Sequence, residues 1–251
     1  MRILQITDLH IGEVYEDTFG VDVRKNFVTI LEKAQQSAPD HIVITGDLCF
    51  QSGDMEIYNW IHDRLESIQI PYSIIAGNHD DSKMLADVFG LRHLMESEDL
   101  FYKLKLNGQD LLYLDTSSDN LSKTQLNWLK SKLSKGSERI IVFMHHPPAH
   151  AGVPFMDENY PLKNYQEVQE VLLQSNREIH VFCGHYHVEK TIQMDKLSIY
   201  ITPSTFFQLD QDSVAFKVDH HDIAYRVLEF GPTDFMTEVT YFKGHQLKKV
   251  V

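Results

Sequence analysis

Five short fragments combine residue types able to do chemistry: Asp8-x-His10, Gly46-Asp47, Gly77-Asn78-His79-Asp80, His145-His146-Pro147-Pro148 and Gly184-His185-x-His187. Asp, Asn and His are oxygen and nitrogen donors, and none of these fragments offers a thiolate. Such a set suits Mn, Fe or Zn better than a structural zinc built on cysteine. With 14 His among 251 residues, about one H-x-H arises by chance, so a single fragment carries little weight. The conjunction carries more. The donors exceed one tetrahedral site and suffice for two cations sharing a carboxylate, at roughly 3.5–4 Å separation, which is an arrangement for in-line phosphoryl displacement. On residue type and place alone, His145 and His146 cannot be told apart as ligands.

Each fragment follows an apolar run: Ile3 to Thr7, His41 to Thr45, Tyr72 to Ala76, Ile140 to Met144 and Ile179 to Cys183, with a sixth run at Leu111 to Leu114. Ligands of α/β sheets gather at the carboxyl ends of strands, on loops that the sheet holds in place. Between runs, Val23, Phe27, Ile30, Leu31 and Ala34, then Met55, Tyr58, Ile61, Leu65 and Ile68, recur at helical spacing. Asn107-Gly108 predicts a hairpin through a type I′ turn. Ser122 with Gln125 predicts a capping box on a helix closed near Gly136. After Cys183 the pattern turns β-rich, over Thr191 to Thr202, Val214 to Val218, Ala224 to Phe230 and Phe235 to Phe242, with Gly231-Pro232 as punctuation. The expectation is an α/β fold of two packed sheets with helices outside, as a single domain over residues 1–251.

Composition sets bounds on partners. Apolar residues make up 43% and charged residues 24%, as in ordinary globular chains. The net charge of −13 repels long polyanions, so no nucleic-acid partner is expected. A small phosphate ester remains compatible, because cations in a pocket invert the local field. No apolar stretch approaches a membrane span. Two distant cysteines, Cys49 and Cys183, and an N-terminus without a signal-like segment point to a reduced, cytoplasmic chain.

The five ordered fragments resemble the motifs of the calcineurin-like metallophosphoesterase superfamily over residues 1 to about 190. The resemblance implies a four-layer α/β fold, two β-sheets sandwiched between helices. It also implies that Asp8, His10 and His187 hold one metal, that Asn78, His145 and His185 hold the other, and that Asp47 bridges them. Of the adjacent histidines it favours His145, with His146 orienting a ligand. A metal-bound hydroxide would attack phosphorus, and His79, a nonligand, would face the leaving oxygen. A bound phosphate would lie near His10, Asp47, Asn78, His79 and His187. The cofactors expected are two divalent or mixed-valence ions, with Mn, Fe or Zn foremost.

Departures narrow the branch. The arginine-containing motif of protein phosphatases is missing after Asp47, and Phe50 stands where purple acid phosphatases place a tyrosine ligand. Phe143 to Pro148, Phe182 to His185, Thr202 to Thr205 and Ala224 to Leu228 are similar to bacterial class III cyclic nucleotide phosphodiesterases and related glycerophosphodiesterases. The expected partner is therefore a small phosphodiester, 3′,5′-cyclic AMP before glycerophosphodiesters, with no membrane and with a homo-oligomer left open. Non-catalytic adaptors on this fold are the contrasting class, disfavoured because His10, His79, His145, His185 and His187 are all present. Phe155, Tyr160 and Tyr186 are candidates for a base-binding wall, His150 for the site's edge, and Asp80 and Asp81 for capping a helix from Ser82 before orienting His79.

Overall fold

The computed structural model describes residues 1–135, 138–231 and 234–247. The expected Gly136 helix end and the Pro232 punctuation lie outside them. A five-stranded sheet runs Phe235–Phe242, Ile223–Phe230, Arg2–Ile6, His41–Thr45, Tyr72–Ile75. A six-stranded sheet runs Lys190–Met194, Leu197–Ile201, Glu178–Cys183, Arg139–Phe143, Gln109–Tyr113, Tyr102–Leu106. In the first sheet Arg2–Ile6, His41–Thr45 and Tyr72–Ile75 run parallel out to one edge and two antiparallel strands form the other, whereas the second has a parallel centre with an antiparallel strand at each edge.

Strand alternation explains the layering. In Arg139–Phe143, Ile141 and Phe143 join the large core shared with the first sheet, whereas Ile140 and Val142 join a second core with Leu126 and Leu129 of helix Lys123–Leu133 and Val168 of helix Tyr165–Leu173. The period of two turns one sequence into two buried faces. Helices Val23–Ser37 and Met55–Ile68 bury Phe27, Ile30, Ile57 and Ile61 in the first core, which gives helices, sheet, sheet and helices in order. Polar pins cross the sheets: Gln5 Nε2 donates to Thr45 Oγ1 and to the Cys183 carbonyl, and Thr202 Oγ1 donates to Gln5 Oε1.

Several local expectations are corrected. Ser122 caps its helix by accepting from Gln125 N–H at 3.3 Å, but the Gln125 amide binds the Asp115 backbone rather than reaching back, so the box is half formed. A strand covers only Val218–His220, because Asp210 pins residues 212 and 213 into a turn and leaves Val214 to Lys217 as loop. Asn107 and Gly108 do adopt φ of 47° and 87°, as the type I′ turn requires.

His41 begins its strand buried, with Nε2 3.0 Å from Ser73 Oγ. Burial pulls its pKa down to about 4. The unfolded chain therefore binds the proton more readily between pH 4 and about 6.5, so stability is full above that window and falls as pH drops through it, by up to roughly 3 kcal/mol. In thermal melts from pH 7.5 to 4.5, His41→Gln is expected to lose less stability than the wild type; an equal loss contradicts the assignment.

Candidate metal centre and its cleft

Strand ends bring the fragments together. Asp8 N–H donates to the Gly46 carbonyl and His10 N–H to the Asp47 carbonyl, which locks the loops after the first two strands side by side. Gly184 N–H donates to the His145 carbonyl and joins the two loops of the second sheet. The two pairs then face each other: His185 N–H donates to both oxygens of Asp8, at 3.1 and 3.0 Å. Such close approach requires glycine. A Cβ on Gly46 would lie 2.7 Å from Gly77 N and from His145 Nδ1, and one on Gly184 would strike Thr7 Oγ1 and the Asp8 carboxylate.

Of the candidate ligands, Asp8, His10, Asp47, His185 and His187 stand at φ of 54°, 46°, 51°, 68° and 50°. Left-handed backbone is costly for non-glycine residues and persists where surroundings over-determine it, commonly at functional sites.

The imidazoles are aimed from behind. A carbonyl can only accept, so His145 Nδ1 donates to Thr45 O at 2.8 Å, His187 Nδ1 to Phe207 O at 3.0 Å and His185 Nε2 to Tyr160 O at 2.9 Å. Each ring thereby turns its other nitrogen toward the acids, as ligating histidines do. His145 Nε2 lies 3.2 Å from Asp47 Oδ2, His187 Nε2 3.4 Å from Asp8 Oδ1, and His10 Nε2 3.0 Å from His187 Nε2. Asp8, His10 and His187 form one compact group and Asp47, His145 and His185 another; a third, of His10, Asp47 and His79, overlaps both.

Three buried atoms of the candidate ligands, His10 Nδ1, Asn78 Oδ1 and His145 Nε2, make no hydrogen bond of good geometry, although His145 Nε2 lies in ion-pair range of Asp47. Burying such groups unpaired is costly, and a cation would satisfy Asn78 Oδ1 and His145 Nε2. The donor set therefore fits a two-cation centre: carboxylates, an amide oxygen and oriented imidazoles.

Electrostatics agree with that fit. Burial pulls His10 down to about 3 and, with His146 and His145 nearby, holds His185 well below the usual imidazole range, so both stay neutral. Burial pushes the Asp8 and Asp47 carboxyls up, but His187 beside Asp8 and His145 beside Asp47 outweigh it and keep both ionised. Burial likewise opposes a charge on His145, yet Asp47 carries it up to about 9. Among protein groups alone His145 therefore carries the proton, which a cation on its Nε2 would displace.

His79 stands at the rim, half-buried. Its N–H donates to Asp47 Oδ1 at 2.9 Å and its Nδ1 to the Gln51 carbonyl at 3.1 Å, which leaves Nε2 for the cleft. Above the floor opens a cleft of about 390 Å³, to which His10, Asp47, Asn78, His79, His185 and His187 contribute.

Residues 1–189 match the family described as calcineurin-like phosphoesterase. The chain belongs to this family. The phosphoesterase is 34% identical over 244 residues to a probable cyclic nucleotide phosphodiesterase of Fibrobacter succinogenes, covering 97% of this chain and 94% of that one. It is 29% identical to the 3′,5′-cyclic adenosine monophosphate phosphodiesterase CpdA of Escherichia coli K12, covering 91% and 85%. A probable glycerophosphodiester phosphodiesterase, GpdQ of Arcobacter nitrofigilis, is 24% identical, covering 84% and 81%. The fold is shared with a dimetal phosphatase of Danio rerio at TM-score 0.68 and 13% identity, covering 94% and 98% of the two chains.

The phosphoesterase places some candidates elsewhere than expected. His146 packs on His185 with ring centres 4.0 Å apart, but its nitrogens meet Thr116 Oγ1 and Asp119 and so it orients no ligand by hydrogen bond. Asp81 caps its helix; Asp80 does not, and instead accepts from the N–H groups of Leu48, Cys49 and Gly77 and from Tyr58 O–H, tying the second and third strand-end loops together. Tyr186 is buried and donates to Asp157, so it is no base-binding wall. His150 packs against Tyr165 with ring centres 4.6 Å apart, outside the cleft lining. Phe155 and Tyr160 do line the cleft, together with Phe19, Phe50, Phe206, Phe207 and Phe216, which sequence reasoning missed. The Phe206-Phe207 pair just after Thr202 to Thr205 was the one signal available.

Proposed function

We propose that the protein hydrolyses small phosphodiesters, 3′,5′-cyclic AMP foremost, through a centre of two divalent cations. Asp8, His10 and His187 would hold one ion, Asn78, His145 and His185 the other, and Asp47 would bridge them. The observation that carries this reading is the pair of buried atoms without a hydrogen bond of good geometry, His145 Nε2 and Asn78 Oδ1, set among oriented imidazoles and two ionised carboxylates on the floor of one cleft. Such a pair of ions, when bound, supplies an acidified water and positive charge for the phosphoryl oxygens.

The chain's own residues do the rest. Asp8 and Asp47, both ionised, and the neutral His10 and His185 are already in the form that binds cations. His79, fixed through Nδ1 on Gln51, presents Nε2 where it would give a proton to, or stabilise, the leaving alkoxide. His10, Asn78 and His187 would flank the phosphate. Hydrolysis breaks one P–O ester bond, with water supplying oxygen to phosphorus and a proton to the alcohol. Residues 1–251 act as one unit in this reading, since strands Ile223–Phe230 and Phe235–Phe242 complete the sheet that carries Asp8 and Asp47.

The relatives named as cyclic nucleotide phosphodiesterases support placing cyclic AMP first among the substrates. With Mn²⁺, kcat/KM is expected to be highest for cyclic AMP among cyclic AMP, cyclic GMP, 2′,3′-cyclic AMP and glycerophosphoethanolamine. A preference for glycerophosphoethanolamine transfers the reading to a glycerophosphodiesterase, and no turnover of these or of bis(p-nitrophenyl) phosphate, with or without metal, makes the protein an adaptor.

A further inference from the structure

The cleft is polar on its floor and aromatic at its mouth. Phe206 packs on His10 with ring centres 5.1 Å apart, and Phe207 on His187 at 5.3 Å, so the aromatic wall starts directly on the candidate ligands. Further out, Phe216 lies 5.7 Å from Phe19, 5.9 Å from Phe155 and 5.9 Å from Phe207. Phe19, Phe155 and Phe216 come from three separate segments of the chain, yet their rings meet over one site.

Solvent exposure makes this arrangement expensive. Phe19 is 58% and Phe216 47% exposed, although the cores hold many aromatic rings at no such cost. Neither loop is slack. Phe19 sits at φ 54°, uncommon for a bulky side chain, in a turn closed by Thr18 Oγ1 donating to the Val21 carbonyl at 2.6 Å and by Gly20 N–H donating to Asp17 Oδ1. The Phe216 loop is pinned by Lys217 Nζ on Asp210 Oδ2 at 2.6 Å and by Asp210 N–H on the Lys217 carbonyl. Two separately braced turns thus hold phenyl rings in water above a metal-binding floor.

The geometry points to Phe19, Phe155 and Phe216 as a specificity collar, which takes a planar aromatic group of the substrate while its phosphate reaches the floor. This rests on the phosphoesterase reading of the floor and adds what separates nucleotide esters from glycerol and ethanolamine esters. With rings already at contact distance, the group stacks on the outer faces of the collar rather than sliding between them. Every base has a π-face, so the collar selects a nucleobase over a glycerol or ethanolamine group without reading which base it is. A cleft of about 390 Å³ lies at the small end of ligand sites, matched to a mononucleotide rather than a polymer.

The test separates the collar from catalysis by measuring binding. The Mn²⁺-loaded protein is titrated calorimetrically with adenosine 5′-monophosphate and with ribose 5-phosphate, which lacks the base. The wild type is expected to favour the nucleotide by roughly tenfold or more, and the double variant Phe19→Ser, Phe216→Ser to lose most of that ratio. Phe216→Trp, which keeps an aromatic face, is expected to retain the ratio, and Phe216→Leu, which keeps only bulk, to lower it. A ratio equal in wild type and double variant overturns the collar, as does a wild type that binds neither ligand. Failure of the hydrolysis reading looks different: the nucleotide preference persists, but cyclic AMP is not turned over.

Discussion

Asp47→Ala is expected to abolish hydrolysis, by more than about 10³-fold, and to reduce bound Mn²⁺ from two ions per chain to one or none. Three of its contacts explain the size of the effect. Oδ2 lies 3.2 Å from His145 Nε2 and 3.7 Å from His10 Nε2, one from each candidate ligand group, while Oδ1 accepts the His79 N–H at 2.9 Å. The carboxylate therefore stands between the groups and also fixes the backbone of the Asn78-His79 loop. Asp47→Asn separates these duties, because it keeps an acceptor for His79 N–H and removes the charge. Elemental analysis after gel filtration reads the outcome, and two retained ions in Asp47→Ala would contradict the bridging role.

His79→Ala is expected to keep both ions and to lose about 10²–10⁴-fold in turnover of cyclic AMP. The loss should be much smaller on bis(p-nitrophenyl) phosphate, whose leaving group needs little protonation. His79 also falls in the compact group with His10 and Asp47, which gives the opposite outcome a concrete geometry. If metal content and rate fall together on both substrates, His79 is a ligand.

The grouping of the candidate donors was legible in the sequence because each sits just beyond a strand, where the parallel sheet fixes both position and direction. Asp8, Asp47 and His145 each follow an apolar run whose end the structure places within a residue or two of the expected one. Two pairings that depend on tertiary contact were not legible. Asp80 lies next to a true cap, Asp81, and local capping rules treat them alike; what separates them is the backbone of Leu48 and Cys49, some 30 residues away. Tyr186, a candidate for the base-binding wall, stands between the candidate ligands His185 and His187, but its ring is buried toward Asp157 instead. The aromatic mouth was least legible of all, since Phe19 and Phe216 stand in irregular loops where no periodicity marks a face, and only the fold shows that they meet.

Anomalous diffraction from crystals of the Mn²⁺-loaded protein tests the two-cation centre most directly. The expected map holds two peaks in the cleft, one ligated by Asp8, His10 and His187, the other by Asn78, His145 and His185, with an Asp47 oxygen on both. A single peak, or peaks away from these side chains, would contradict it.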